Sequence, residues 1–473
     1  MIGETYVPPR LIRSTRCRSP FCVSTGYLHQ VNEGGGRTVE PFWLSGNAPE
    51  QERIINWQAP PLKFGVGATR EIGYELRRVG VTTVLLVTDP VLAALGLPAR
   101  VAKSIEQEGI SVVTFDRVHV EPTDESCAEA ARALAGLQVD GYVGLGGGSS
   151  IDTAKMLNLL LSYPGRPVRD YLNAPIGAGA AVPGPLKPLI AVPTTAGSGS
   201  ECTAMVALGV TDLRVKTGIS DLRLLPTLAL VDPANTLTLP AAVTASSGYD
   251  VLTHACESYT ARLYDRRPPY AAPGDRPLYI GANPISDIWA EQALDLVGRY
   301  LRRAVLNPDD LEARTGMSRA AGFAGMGFGN AGTHIPHACA YPVAGLVRDY
   351  HPPGYRVDHA MIPHGAAVVS TAAAAFEFTY ATSPERHLRA AELLGANLAG
   401  VTTANGADVL PAALASIVAD TGGPAGLKDF GYGSKDVPHL VEGALKQQRL
   451  LVCCPRDVAA RDLERVIAAS MAG

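Results

Sequence analysis

Residues 143 to 155 read Val-Gly-Leu-Gly-Gly-Gly-Ser-Ser-Ile-Asp-Thr-Ala-Lys, an apolar run that passes through three consecutive glycines and two serines into a helix-forming stretch. An apolar strand entering a helix through a glycine turn is half of a βαβ unit. Repeated, such units impose a parallel sheet with helices on both faces. The pattern does repeat. Leu189-Ile190-Ala191-Val192-Pro193 runs into the polar turn Thr194-Thr195-Ala196-Gly197-Ser198-Gly199-Ser200-Glu201. Thr83–Asp89, Ser111–Phe115 and Gly141–Leu145 are further apolar runs with helical stretches between them, and Leu228–Pro233 reads as the last strand of the series. Ligands of such sheets sit at the carboxyl ends of the strands, where these turns fall. Glycines let a backbone approach an anion closely, and free N–H groups at a helix start suit a pyrophosphate. The first turn is not the GxGxxG fingerprint, so alone it is a weak signal.

Beyond the last strand the chain reads as helices, for example Glu291–Val305 and Glu385–Leu394. The expected layout is an extension over residues 1–55, an α/β dinucleotide domain over 56–232 and a helical metal and substrate domain over 233–473. A chain of 473 residues suits two cores better than one. Its 47% hydrophobic and 18% charged residues are those of a globular protein. A net charge of −4 with no basic stripe argues against nucleic acid as a partner. Eight cysteines without CxxC pairs argue against a disulfide framework or a zinc ribbon. No run approaches the roughly 20 apolar residues of a membrane span. The extension carries Arg10, Arg13, Arg16 and Arg18 with few acids, as transit peptides do, but also Pro8, Pro9, Pro20 and Gly34–Gly36, which oppose an amphipathic helix. A disordered extension leaves the protein in the cytoplasm; a transit peptide would send it to the mitochondrial matrix.

Asp250 and His254 stand four apart, so on a helix they share one face a turn apart. His337 and His364 follow downstream, and one carboxylate with three imidazoles is a full ligand set for Fe²⁺ or Zn²⁺. His334, three residues before His337, would share its helix face.

Gly146–Asp152 (GGGSSID), Pro193–Glu201 (PTTAGSGSE), Asp250–Ala255 (DVLTHA) and Pro363–Gly365 (PHG) occur in this order. With them the chain resembles the iron-containing (group III) alcohol dehydrogenases, from about Phe64 to near the C-terminus. Val120–Asp124, Ala174–Gly177, Arg214–Ile219, Gly281–Asp287 and Gly327–Gly332 resemble, more narrowly, the hydroxyacid-oxoacid transhydrogenase subgroup. The resemblance implies a Rossmann-like parallel-sheet domain followed by an all-helical metal domain, a dehydroquinate synthase-like arrangement, assembled as a homodimer. It implies an iron or zinc ion on Asp250, His254, His337 and His364. It also implies NAD, either tightly held or exchanged between turnovers, on Asp89, Gly147, Gly148, Ser149, Asp152, Thr194, Thr195 and Lys216.

Bland readings stand beside these. Asp89 before Pro90 suits a helix start as well as a ribose. Ser149, Thr194 and Thr195 suit turns, and Lys216 suits a solvated surface. Many members of the family carry HxxxH where this chain has His337-x-x-x-Tyr341, which puts a proton relay in doubt, since tyrosine titrates near 10. Two insertions, Arg262–Arg276 and Arg348–Asp358, bring arginines suited to carboxylates, or to plain solvation. The implied reaction moves hydride from 4-hydroxybutyrate through nicotinamide to 2-oxoglutarate, giving succinic semialdehyde and 2-hydroxyglutarate. The alternatives are an alcohol dehydrogenase that releases NADH and a non-catalytic metal- or nucleotide-binding protein.

Overall fold

The computed structural model describes residues 51–471 except Arg214, together with two short strands nearer the start. Those strands, β1 (His29–Val31) and β2 (Arg37–Val39), pair antiparallel with His29 opposite Val39, in a unit separate from the rest. Arg10, Arg13, Arg16, Arg18 and Arg214 lie outside the described residues.

From residue 51 onward the strands are β3 (Leu62–Phe64), β4 (Thr83–Val87), β5 (Ser111–Phe115), β6 (Gly141–Gly146), β7 (Leu189–Pro193), β8 (Met205–Val210), β9 (Val215–Ser220) and β10 (Leu228–Val231). Six of them form one parallel sheet in the order β3-β10-β7-β6-β4-β5. The central strands are continuous apolar runs because helices cover both faces, and every residue of β6, β7 and β10 is buried. Edge strand β5 keeps Ser111 and Thr114 exposed. Chain order reverses at β4: the chain steps outward to β5 and then returns to place β6 on the other side. The carboxyl ends of β4 and β6 therefore flank the topological switch point, where open α/β sheets bind ligands.

Two features position that crevice. The helix Gly148–Ser162 follows β6 at once and is almost wholly buried. It lies close on the strand because Gly144 has no side chain; a Cβ there would sit 3.0 Å from Ile151 Cα. The second feature went unread in the sequence. The segment between β7 and β10 forms an antiparallel hairpin, β8–β9, with Gly209 opposite Lys216.

After β10 the named elements among the described residues are all helical. The helix Ala241–Thr260 is buried along nearly its whole length and packs against Pro284–Leu306 and Leu311–Ala331, their core lined by Leu252, Ala255, Leu294, Leu301 and Met317. Two further helices, Ile335–Gly345 and His364–Thr379, close over it. The expected extension ends earlier than residue 55, because Glu52 is already docked: its N–H donates to the Arg267 carbonyl at 2.9 Å and its carboxylate pairs with Arg276. The six described cysteines are free and buried.

Candidate metal and cofactor site

Asp250 and His254 lie one turn apart on the Ala241–Thr260 helix, His337 on the Ile335–Gly345 helix, and His364 opens the His364–Thr379 helix. The helix carrying His364 can come this near because the next residue is glycine: a Cβ at Gly365 would collide with the Ser246 carbonyl and sit 2.9 Å from Asp250 N. His337 Nε2 lies 3.4 Å and His364 Nε2 3.8 Å from Asp250 Oδ1. One ligand atom from each of Asp250, His337 and His364 falls within 4.8 Å of the others. His254 stands beside this trio, its Nδ1 3.6 Å from Asp250 Oδ1 and its ring flat on Phe328 at 3.7 Å between centroids.

Asp250 Oδ1, His254 Nδ1 and His337 Nε2 are buried without a hydrogen-bond partner among the described residues. Orphaned buried polar atoms are costly, and here they converge. A divalent cation satisfies such a group of lone pairs, so the residues present fit a metal ion. The electrostatics agree. Burial alone would raise the Asp250 carboxyl, but His254, His364 and His337 around it hold it far below the carboxylate range. Burial pushes His254 down to about 3 and His364 down to about 4, which leaves neutral imidazoles with lone pairs to give. His337 differs: burial opposes its charge, yet Glu257 and Asp250 raise it to about 9.

Glu257 was missed in the sequence. Fully buried, it accepts the His334 N–H at 2.7 Å and the His337 N–H at 3.3 Å, and its other oxygen pairs with His337 Nδ1. That pairing turns His337 Nε2 toward Asp250, as carboxylates behind metal-binding histidines do. The available signal was its spacing: Asp250, His254 and Glu257 sit at i, i+4 and i+7 on one helix. His334 lies behind the site, with its Nε2 3.2 Å from Thr260 Oγ1.

The trio opens onto a cleft of about 360 Å³. Asp89, Gly147, Gly148, Ser149, Asp152, Thr194, Thr195 and Lys216 all line it, together with Tyr341, Asp250 and His364. Gly147, at the N-cap of the Gly148–Ser162 helix, offers no side-chain cap, so the first turn faces the cleft with the positive end of the helix dipole. Ser149 Oγ accepts the Glu121 N–H at 3.1 Å. Asp89 does cap a helix, its Oδ1 accepting the Leu92 N–H at 2.9 Å, while also standing at the switch point. Asp152 is committed within the protein: its Oδ1 accepts from Ser200 Oγ, and its Oδ2 accepts the Ala207 N–H at 2.9 Å. Lys216 pairs with Glu121, and burial pushes its ammonium down to about 7 against the opposing charge of Asp250. Glu121 adopts φ 61°, an uncommon conformation for a side-chain-bearing residue.

Arginines of the first insertion turn away from the cleft. Arg262 pairs with Asp457 and Arg276 with Glu52, and Arg267 donates to the Tyr279 carbonyl at 2.7 Å. From the second insertion Arg348 pairs with Asp436, whereas Arg356 does line the cleft. His359 stacks on His119 beside Asp358.

Comparison with known proteins bears on this arrangement. Residues 60–233 match the family model for iron-containing alcohol dehydrogenase, and residues 278–471 match that for the C-terminal part of the Fe-containing alcohol dehydrogenase family. The chain is 44% identical over 463 residues to the mitochondrial hydroxyacid-oxoacid transhydrogenase of Rattus norvegicus, covering 98% of this chain and 97% of that protein. The crystal structure of a 1,3-propanediol oxidoreductase is similar with TM-score 0.77 and 30% identity, covering 88% of this chain and all of that one. The sulfoacetaldehyde reductase of Bifidobacterium kashiwanohense, solved in complex with NAD⁺, is similar with TM-score 0.72 and 25% identity, covering 89% of this chain and 99% of that one. The family models therefore match both the part of the chain that carries the glycine turn and the part that carries His337 and His364. The chain belongs to the iron-containing alcohol dehydrogenase family and is a member of the hydroxyacid-oxoacid transhydrogenase type.

Proposed function

We propose that this chain carries hydride from 4-hydroxybutyrate, or a similar hydroxyacid, to 2-oxoglutarate, yielding succinic semialdehyde and 2-hydroxyglutarate. The observation that carries the reading is that the Asp250–His337–His364 cluster and the Gly147–Ser149 turn open into the same cleft. When bound, a Lewis-acidic Fe²⁺ or Zn²⁺ polarises the substrate oxygen and nicotinamide carries the hydride. Asp250, His254, His337 and His364 would hold the ion. Asp89, Ser149, Thr194, Thr195 and Lys216 would hold the dinucleotide, and Asp89 would disfavour the 2′-phosphate of NADP.

Tyr341 supports the transhydrogenase over a dehydrogenase that releases NADH. Oxidising an alcohol with NAD⁺ liberates one proton per turnover, which a relay must carry out. In the exchange reaction the proton given up by the hydroxyacid is taken up when the oxoacid is reduced, so the net proton count is zero. A site with tyrosine in place of the family's second histidine suits that closed cycle. As for compartment, the cytoplasm first expected draws no support from relatives whose names carry the word mitochondrial, and an arginine-bearing, acid-poor first segment would suit import.

The test uses 4-hydroxybutyrate deuterated at its hydroxyl-bearing carbon, with 2-oxoglutarate and no added NAD⁺. The label is expected at C2 of the 2-hydroxyglutarate formed, without acidification of a weakly buffered solution. Label leaving in free NADH at the rate of turnover, with one proton released each time, would establish the ordinary dehydrogenase instead.

A further inference from the structure

We propose that Tyr341 and Arg449 form the subsite that receives the carboxylate of the acidic substrates, a deepening of the hydroxyacid reading above. Arg449 is a cation without an anion. Among the described residues no carboxylate lies within ion-pairing distance of it, whereas Arg262, Arg276, Arg348 and Arg386 each have one. Its Nη2 donates to the Tyr341 hydroxyl at 2.9 Å, and its Nη1 reaches only the Met205 sulfur at 3.8 Å. Its Nε is shut off from solvent with no partner. The guanidinium stands 5.8 Å from the Tyr279 ring and 5.9 Å from that of Tyr341, so aromatic faces are the main compensation for its charge. Removing a cation from water without supplying an anion is unfavourable, and the protein keeps this one beside its cleft.

The hydrogen bond also sets the direction of the tyrosine. Guanidinium donates and never accepts, so it occupies a lone pair of the Tyr341 oxygen. The O–H proton is then free to point elsewhere, and Tyr341 lines the cleft. Tyr341 is one helical turn beyond His337, and its ring lies 6.0 Å from that of His364 and nearly parallel to it. A short hydroxyacid with its reacting carbon at the histidine cluster would therefore bring its carboxylate to the Tyr341 hydroxyl, with the Arg449 charge directly behind. Arg449 itself is a positioning residue, acting through Tyr341.

The experiment measures KM for 4-hydroxybutyrate and for 1-butanol, of equal carbon number but uncharged, in wild type, R449Q, R449K and Y341F. The ratio of the acid KM to the alcohol KM should rise about tenfold to a hundredfold in Y341F, the loss expected for one hydrogen bond to a charged group, and should also rise in R449Q, which removes the cation behind that hydroxyl. R449K, which keeps the cation, should recover part of it. Calorimetric binding of succinate should weaken in the same order, and Y341F gives the same readings should R449Q fail to fold. An unchanged ratio in an enzyme that does turn over the acid, or equal losses for both substrates, defeats the subsite alone. Wild-type enzyme that turns over 1-butanol but neither turns over 4-hydroxybutyrate nor binds succinate defeats the hydroxyacid reading, and the subsite with it.

Discussion

At the scale of single residues, the site depends on which lone pairs are left without protons. His254 and His364 are held neutral by burial and Glu257 aims His337, whose ring, raised to about 9, must give up a proton as a cation binds. His364→Ala should abolish most metal binding and activity together. Elemental analysis of the metal-reconstituted variant checks this, and a full complement of metal would remove His364 from the ligand set. Glu257→Gln keeps the shape but loses the charge behind His337, and should weaken metal affinity by about tenfold to a hundredfold, measurable by competition with a chromophoric chelator. The sequence made the candidate ligands legible because each sits inside a short motif. Glu257 and Arg449 were illegible for a different reason. What gives each its role is a distant partner, the His337 ring 80 positions away and the Tyr341 hydroxyl 108 positions away respectively.

Elements place those residues, and here the strands were read to within a residue or two. Fully buried strands are continuous apolar runs, so β7 and β10 stand where their sequence puts them. The β8–β9 hairpin escaped notice because β8, Met205–Val210, reads as one more apolar run while β9, Val215–Ser220, shows neither an apolar run nor strict alternation; the structure places Lys216 on the cleft. Asp89 is a helix cap, as one reading of its sequence has it, and stands at the switch point where the ribose reading would need it. The two are separable. Asp89→Asn retains a cap acceptor and removes the charge, so it should narrow the preference for NAD over NADP with little loss of stability. Asp89→Ala should narrow the same preference and also cost about 1 kcal/mol. Specificity ratios together with urea unfolding distinguish these outcomes, and a wild type preferring NADP would end the ribose role for Asp89.

For the whole molecule, residues 51–473 form one unit, and strand ends and helical half both line the cleft. A dinucleotide lodged there contacts both, and ligands that bind only the folded state stabilise it. NAD⁺ at a hundredfold excess over its dissociation constant should add about 2.7 kcal/mol to unfolding. Differential scanning calorimetry should show a single transition moving upward as a whole; a cofactor that shifted only part of a divided transition would mean the halves unfold independently.

The cleft has one consequence for the lifetime of the loaded enzyme. Of the cluster, Asp250 and His364 line the cleft, His337 and His254 do not, and only His364 is substantially accessible. Among the described residues an ion seated there would leave past His364 into the cleft, where the proposed dinucleotide would stand in its way. A coenzyme retained between turnovers would then also act as a stopper, and a chain that kept its nicotinamide would seldom surrender its metal to a scavenger.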